Sequence, residues 1–400
     1  MPSTSDTAPA SIRPADAMSR LGTETAFQVL ARAAAMERDG RSIINLGIGQ
    51  PDFKTADHIV EAAAQALRDG HHGYTPARGI QPLREAVAAD LQGRHGVDVS
   101  PERVVIVPGG KVTMWFAILM FGQPGAEIIY PDPGFPIYGS VIRYTGATPV
   151  AYPLLQEKGF AFDPDAILAS ITPATRLLIV NSPANPTGGV VPPEAMDRLV
   201  AGLAKHPHVA VMSDEIYSRM LYPPHAHRSL LSYPELEDRL ILLDGWSKTY
   251  AMTGWRLGFG VWPSALIDLA DRLAVNSHSC VNAAAQMAAI AALTGPQDAV
   301  DEMLQAFTSR RRVVVDGLNS IPGFRCVEPG GAFYAFPDIT ATGLDARTMQ
   351  DRLLTEAGVA TVAGTSFGGN GEGFIRLSYA NSIEAIEEAL QRVNKFVGTL

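Results

Sequence analysis

Short runs of apolar residues decide the fold class of this chain. Val104-Val105-Ile106-Val107, Glu127-Ile128-Ile129-Tyr130, Arg176-Leu177-Leu178-Ile179-Val180, Val209-Ala210-Val211-Met212 and Leu240-Ile241-Leu242-Leu243 are too short for helices and show no polar residue at alternate positions. A strand that is apolar on both faces belongs inside a sheet covered on both sides, the habit of parallel sheets. Helical segments lie between or before them: amphipathic His58–Arg68, Gln81–Gln92 with Leu83, Val87 and Leu91 on one face, and the apolar Val112–Phe121. Strands alternating with helices predict an α/β fold, a mostly parallel sheet flanked by helices.

The ends of the chain read differently. Thr23–Asp39 has helical spacing and closes at Gly40, and Ile43-Ile44-Asn45-Leu46 is a short strand. From about Gln297 a long helix, Val300–Leu318, carries Arg310-Arg311-Arg312, expected to be solvated. Shorter strands follow at Phe324–Val327, Ala332–Phe336, Val359–Val362 and Phe374–Tyr379, with helices at Asp345–Ala357 and Ser382–Val397. These suit a smaller α+β domain. Met1–Ala17 is rich in Ser, Thr, Pro and Ala, and disorder is expected up to Leu21.

Composition removes several classes of function. The net charge of −9 argues against nucleic acid or an anionic membrane as main partner. No apolar run has the length of a membrane span; Ala283–Leu293 is short and interrupted by Gln286. Cys280 and Cys326 have neither pairing nor metal spacing and read as reduced thiols of a cytoplasmic protein. His71-His72, His206-x-His208 and His225-x-His227 lack the H-E-x-x-H spacing, so no metal site is expected.

Chemistry gathers where strands end. Gly47-Ile48-Gly49-Gln50-Pro51-Asp52-Phe53 begins like a dinucleotide fingerprint, but Asp52 stands in the third glycine's place and no helix starts there. Its glycines suit a backbone that approaches a ligand closely. Pro108-Gly109-Gly110-Lys111 runs from a strand into a helix, a ready anion site without Walker A spacing. Met114, Trp115, Phe116 and Met120 on that helix read as core. Asp132–Tyr138 is a loop presenting Phe135, Asn181–Gly188 is stiffened by prolines, and Asp214 follows a buried strand.

Asp244–Gly258 is the segment around which the rest is organised. An apolar strand ends, the chain turns at Gly245, and Lys248 follows, with Arg256 between Gly254 and Gly258. A loop lysine is ordinarily solvated. A nucleophile elbow is excluded because Thr249 stands where the last glycine is needed. An adjacent Ser247–Lys248 pair would point its side chains to opposite faces of an extended chain. What remains is a Schiff-base lysine near a phosphate-binding arginine, which calls for a cofactor with an aldehyde and a phosphate.

Taken together, Gly47–Phe53, Gly109-Gly110-Lys111, Asn185-Pro186-Thr187-Gly188, Asp214-x-x-Tyr217, Ser247-Lys248 with Arg256, and Arg376 closely resemble the fold-type I pyridoxal-phosphate aminotransferases, in the aspartate aminotransferase-like branch of class I/II. The resemblance runs in order from about Leu21 to the C-terminus. It implies a large cofactor-binding domain over residues 56–296 and a small domain built from 21–55 and 297–400, after a disordered segment 1–20. It further implies that Lys248 holds pyridoxal phosphate as a Schiff base and later moves the Cα proton. Asp214 would keep the pyridine nitrogen protonated. Tyr217 and Asn185 would bond the ring oxygen, and Phe135 would stack on the ring. Arg256, Gly109, Gly110, Lys111 and Ser247 would hold the phosphate. Arg376, helped by Gly49 and Asn185, would grip the substrate carboxylate. Tyr74 matches a tyrosine that reaches a partner subunit's phosphate, which implies a homodimer with shared sites.

The implied activity is transfer of an amino group from an L-amino acid to a 2-oxo acid by ping-pong chemistry. A lyase, synthase or oxidase on the same scaffold is the alternative. A cofactor-sensing regulator would need a DNA-binding module, and a structural protein with a dead site would not keep Lys248, Asp214 and both arginines. Trp246 and Phe135 depart from the residues usual in the family and are expected to reshape the pocket. No second arginine for a distal carboxylate stands out; Arg13, Arg20 and Arg78 are the unplaced ones.

Overall fold

The computed structural model describes residues 12–400, and in it the five apolar runs between Val104 and Leu243 become strands of one sheet. In chain order the strands are β1 (Ile44–Asn45), β2 (Val104–Val107), β3 (Glu127–Asp132), β4 (Thr148–Pro153), β5 (Thr175–Asn181), β6 (Ala210–Asp214), β7 (Leu240–Gly245), β8 (Gly258–Val261), β9 (Tyr334–Ala335), β10 (Val359–Ala360), β11 (Val362–Ala363) and β12 (Ile375–Ser378). The central sheet has seven strands in the order β2-β8-β7-β6-β5-β3-β4. All its pairings are parallel except the two made by β8.

The two-residue period of a strand divides each apolar run between two cores. Val104, Ile106, Leu178, Val180, Val211 and Leu242 enter one; Val105, Val107, Leu177, Ile179, Met212 and Leu243 enter the other. Both faces are covered, which is why the runs do not alternate with polar residues. Each such side chain contributes about 1.5–3 kcal/mol by leaving water.

A third core belongs to the chain ends. The helices Asp298–Ser320 and Ile383–Val397 bury Phe307, Val314, Leu318, Ile386 and Val393 against Tyr334, Ile375 and Leu377, together with Ile44 and Leu46. Here β11, β12 and β9 form an antiparallel sheet in that order, and β1 pairs in parallel with β10.

Several expectations need correction. Phe324–Val327 is not a strand. Asn319 supplies the hydrogen bonds a neighbouring strand would give, accepting from Cys326 N at 2.8 Å and donating to Cys326 O at 3.0 Å. Ala332–Phe336 contracts to β9, because Ala332 is left-handed at φ 56°. Val359–Val362 splits into β10 and β11, which pair in different sheets. The strand β4 escapes notice because it lies at the sheet edge and carries two prolines, Pro149 and Pro153. The helix at Asp345–Ala357 is α-helical only over Ala346–Arg352 and widens into a π turn at Leu353–Ala357.

The arginine run is not solvated as a whole. Arg310 binds both carboxylate oxygens of Asp52, at 2.6 and 2.9 Å, and covers the Phe53 ring. Arg311 pairs with Glu328 at 3.0 Å over Tyr222, and only Arg312 is exposed. The N-terminal segment is ordered from Asp16 to Arg20, a 3-10 turn anchored where Arg20 donates to the carbonyls of Arg143 (2.9 Å) and Tyr144 (3.1 Å). The disorder expected further upstream falls on residues 1–11, outside the described residues.

Candidate active site

Parallel strands end on the same edge of a sheet, and this edge collects the side chains singled out above. Register sets Asn181 of β5 beside Asp214 of β6, and β7 ends alongside at Gly245. A cavity of about 490 Å³ opens between this edge and the β9–β12 unit. Lys248, Asp214, Tyr217, Asn185, Phe135, Ser247, Arg256, Arg376, Gly49, Gly110 and Lys111 all line it.

Lys248 stands on a single helical turn, Trp246–Thr249, and its Nζ donates to Gly49 O at 2.5 Å. Burial, reinforced by the positive charge of Arg376, brings its pKa down to about 7. Gly49 is glycine for a steric reason: a Cβ there would lie 2.3 Å from the Tyr334 hydroxyl. That hydroxyl shares a 2.7 Å hydrogen bond with Tyr217.

Asp214 accepts a 2.7 Å hydrogen bond from Tyr138 Oη, and a longer one from Ile216 N at 3.3 Å. Burial lifts its pKa to about 6, and no cation offsets that effect. Arg376 is also buried. It donates to Asn185 Oδ1 at 3.0 Å and to Gly47 O at 2.5 Å, while its Nε has no partner among the described residues. Its guanidinium lies between the rings of Tyr334 and Phe367, at 4.7 and 4.8 Å. Burial lowers its pKa, with only partial opposition from Tyr334, Tyr217 and Glu24. A structural ion pair, the bland alternative for an arginine in this strand, is not what the side chain makes.

Arg256 is held by carbonyls only, Thr253 O at 2.8 Å and Pro108 O at 3.3 Å. It packs on Gly109, whose φ of +94° and lack of a side chain are both needed: a Cβ would lie 2.1 Å from Arg256 Nη2. Beside it begins the helix Lys111–Phe121, whose positive end faces the cavity at Gly110. The Lys111 ammonium does not join Arg256. It makes an ion pair with Glu24 and sits 5.3 Å from the centroid of the Phe135 ring.

The model for aminotransferase class I and II matches residues 41–393. The chain belongs to this family. It is 37% identical over 375 residues to an aspartate aminotransferase of Geobacillus stearothermophilus, covering 92% of this chain and 95% of that one. The aromatic aminotransferase structure from Pyrococcus horikoshii matches with a TM-score of 0.87 at 36% identity, over 92% of this chain and 99% of the other. An alanine aminotransferase structure from Pyrococcus furiosus matches at 0.91 and 33%, over 97% and 100%.

Aminotransferases of this class use pyridoxal phosphate, and the residues present fit it. An unpartnered Arg376 Nε suits a carboxylate. A glycine cradle beneath Arg256 at a helix N-terminus suits a phosphate. A buried carboxylate without a cation suits a pyridinium, and a lysine near pKa 7 suits an aldehyde.

Not every expected residue reaches the cavity. Tyr74 is 95% exposed and lies away from it, and Gly109 stands behind Arg256. Trp246 turns into the core, donating to Ala289 O at 3.2 Å, so it does not shape the pocket; Phe135 does. Met114, read as core, is buried and also touches the cavity. Arg20 and Arg78 are engaged elsewhere, Arg78 with Asp268 and Asp271.

Three lining or supporting residues carried no sequence signal. Tyr138 looked like part of a loop but lies on the helix Ile137–Thr145. Tyr334 looked like one more aromatic of a buried strand. Glu24 fell within the helix read at Thr23–Asp39, but it lies just ahead of the helix, which begins at Thr25. Among the histidines, His227 is taken up by Glu215 at 2.8 Å; although burial acts the other way, that contact helps hold Glu215 down to about 2. Among the described residues no cluster of three or more His, Cys, Asp or Glu could hold a metal ion.

Proposed function

We propose that Lys248 is the residue to which this aminotransferase attaches pyridoxal phosphate. Asp214, Arg256 and Arg376 then divide among them the ring nitrogen, the phosphate and the substrate α-carboxylate. The observation that carries the reading is an enclosed lysine with a pKa brought down to about 7, in one cavity with both arginines. Bound pyridoxal phosphate supplies an aldehyde for a Schiff base and a ring that takes up the electron pair left at the amino acid's Cα.

The chain's own residues do the rest. Lys248 Nζ, as a neutral amine, would take the proton from the amino acid's Cα, becoming an ammonium, and would then give that proton up again within the same transfer. Asp214 keeps a proton on the ring nitrogen, and Tyr138 orients it. Tyr217 and Asn185 hydrogen-bond the ring oxygen, and Phe135 covers one face. Gly110 and Lys111 would contribute backbone at the helix start, with Ser247, to the phosphate, and Gly109 would act from behind Arg256 by seating its guanidinium. Arg376 offers two parallel N–H groups to the α-carboxylate beside Gly49.

The exposure of Tyr74 supports a homodimer in which it reaches the partner's phosphate. Two unpaired thiols, Cys280 and Cys326, favour the cytoplasm. The third core, drawn mostly from the chain ends and joined by Tyr217, Met220 and Tyr222, supports a small domain of residues 21–55 and 297–400 beside a large one of 56–296.

A half-reaction tests the activity. Given an amino donor and no acceptor, the holoenzyme should release one equivalent of 2-oxo acid per site and stop. Continued release without acceptor would mean a lyase, synthase or oxidase. A second test isolates the ring-nitrogen contact. Asp214→Asn keeps the shape and removes the charge, so proton abstraction in a single turnover should slow much more than cofactor binding weakens. A rate within about tenfold of the parent, only ~1.4 kcal/mol of barrier, would sink the role assigned to Asp214.

A further inference from the structure

Once the proposed roles are assigned, two charged side chains lining the cavity remain without one. Lys248, Arg256, Arg376 and Asp214 are committed; Glu24 and Lys111 are left, and they are paired with each other. Glu24 lies just ahead of the helix Thr25–Arg38 with its side chain 15% exposed, while that of Lys111 is 42% exposed. The Lys111 ammonium lies over the Phe135 ring, and Ala26, Phe27 and Ile48 are further apolar residues of the cavity lining.

We infer that Glu24 determines substrate class: by pairing with Lys111 it leaves no uncommitted positive charge among the described residues lining the cavity, so the enzyme favours donors and acceptors with one carboxylate and a neutral side chain. This rests on the proposed function, because it takes both arginines as already engaged. A half-exposed ion pair is weak in itself, so the strength of the pair is not what excludes a second carboxylate. The exclusion comes from what is left behind. A dicarboxylic substrate reaching for Lys111 strips Glu24 of its partner and sets two anions side by side in a partly desolvated site. A neutral side chain disturbs nothing and meets Phe27, Ile48 and Phe135. Ping-pong chemistry passes both substrates through the same cavity, so the constraint applies to the amino donor and to the oxo-acid acceptor alike.

Aspartate and asparagine share a shape and differ in charge, which makes them the natural probes, with phenylalanine as an apolar donor. Single-turnover kcat/KM is measured for the holoenzyme with each. The parent should convert asparagine or phenylalanine faster than aspartate. Glu24→Gln and Glu24→Ala should each move the aspartate-to-asparagine ratio toward aspartate by roughly tenfold or more, since the repelling charge is gone. Adding Lys111→Met to Glu24→Gln should remove that gain. A parent that prefers aspartate to both other donors would overturn the inference, as would a ratio that neither Glu24 variant moves. A holoenzyme that converts no donor of any class would instead strike the proposed function beneath it.

Discussion

Lys248→Ala is expected to retain pyridoxal phosphate while losing turnover by roughly 10²–10⁴-fold, the range that a positioned acid–base group contributes. Arg256, the Gly109 cradle and the helix start do not depend on the lysine, so the phosphate would keep the contacts proposed for it. Borohydride reduction of the parent holoenzyme should fix the cofactor's mass to the peptide containing Lys248, and labelling of another lysine would end the assignment. The lowered pKa adds a pH signature. The amine is neutral above about pH 7 and protonated below it. Capture of pyridoxal phosphate by the apoenzyme should therefore slow as pH falls through that value. An ordinary lysine, protonated up to about pH 10.4, would show no such midpoint.

The parts of this molecule legible in the sequence are those where one physical requirement dominates. Strands covered on both faces must be continuously apolar, and β2, β5, β6 and β7 were visible for that reason. The site was legible because a loop at a strand end can present chemistry only with particular residues: Gly109 against Arg256, Gly49 against Tyr334. What stayed hidden depends on contacts between distant segments. β4 is an edge strand with prolines, and β8 has glycine at two of its four positions, Gly258 and Gly260, because Gly110 and Thr113 crowd it. Arg310 looked solvated until Asp52, 258 positions away, came to meet it. Glu24 and Lys111 are 87 positions apart, and neither carries a local signature of the other. Tyr138 supports Asp214 across 76 positions, from a helix that the Pro133-Gly134 and Pro136 punctuation disguised as a loop.

Arg376 gives the second large effect. It lies on β12, whose neighbour β9 carries Tyr334, so the sheet itself fixes the ring on one side of the guanidinium. Two of its nitrogens are occupied by neutral acceptors, Asn185 Oδ1 and Gly47 O, and the third, Nε, has none. A buried cation with neutral partners, its Nε–H and one N–H on each terminal nitrogen unmet, is costly unless an anion arrives to complete it. Arg376→Lys keeps the charge and loses the planar fork; Arg376→Ala loses both. Loss of a charge-assisted two-pronged contact should cost about 3 kcal/mol or more of transition-state binding, hence at least ~100-fold in kcat/KM for amino acids. The cofactor's absorbance should be unchanged, because in the proposed arrangement Arg256 and Asp214, not Arg376, would hold it. Simple amines without a carboxylate provide the control, since they never use the contact. They should react with parent and variants at similar rates, so that the loss appears only with amino acids. Equal losses for amines and amino acids, or release of pyridoxal phosphate from Arg376→Lys, would make this arginine a structural residue and send the carboxylate to another part of the cavity.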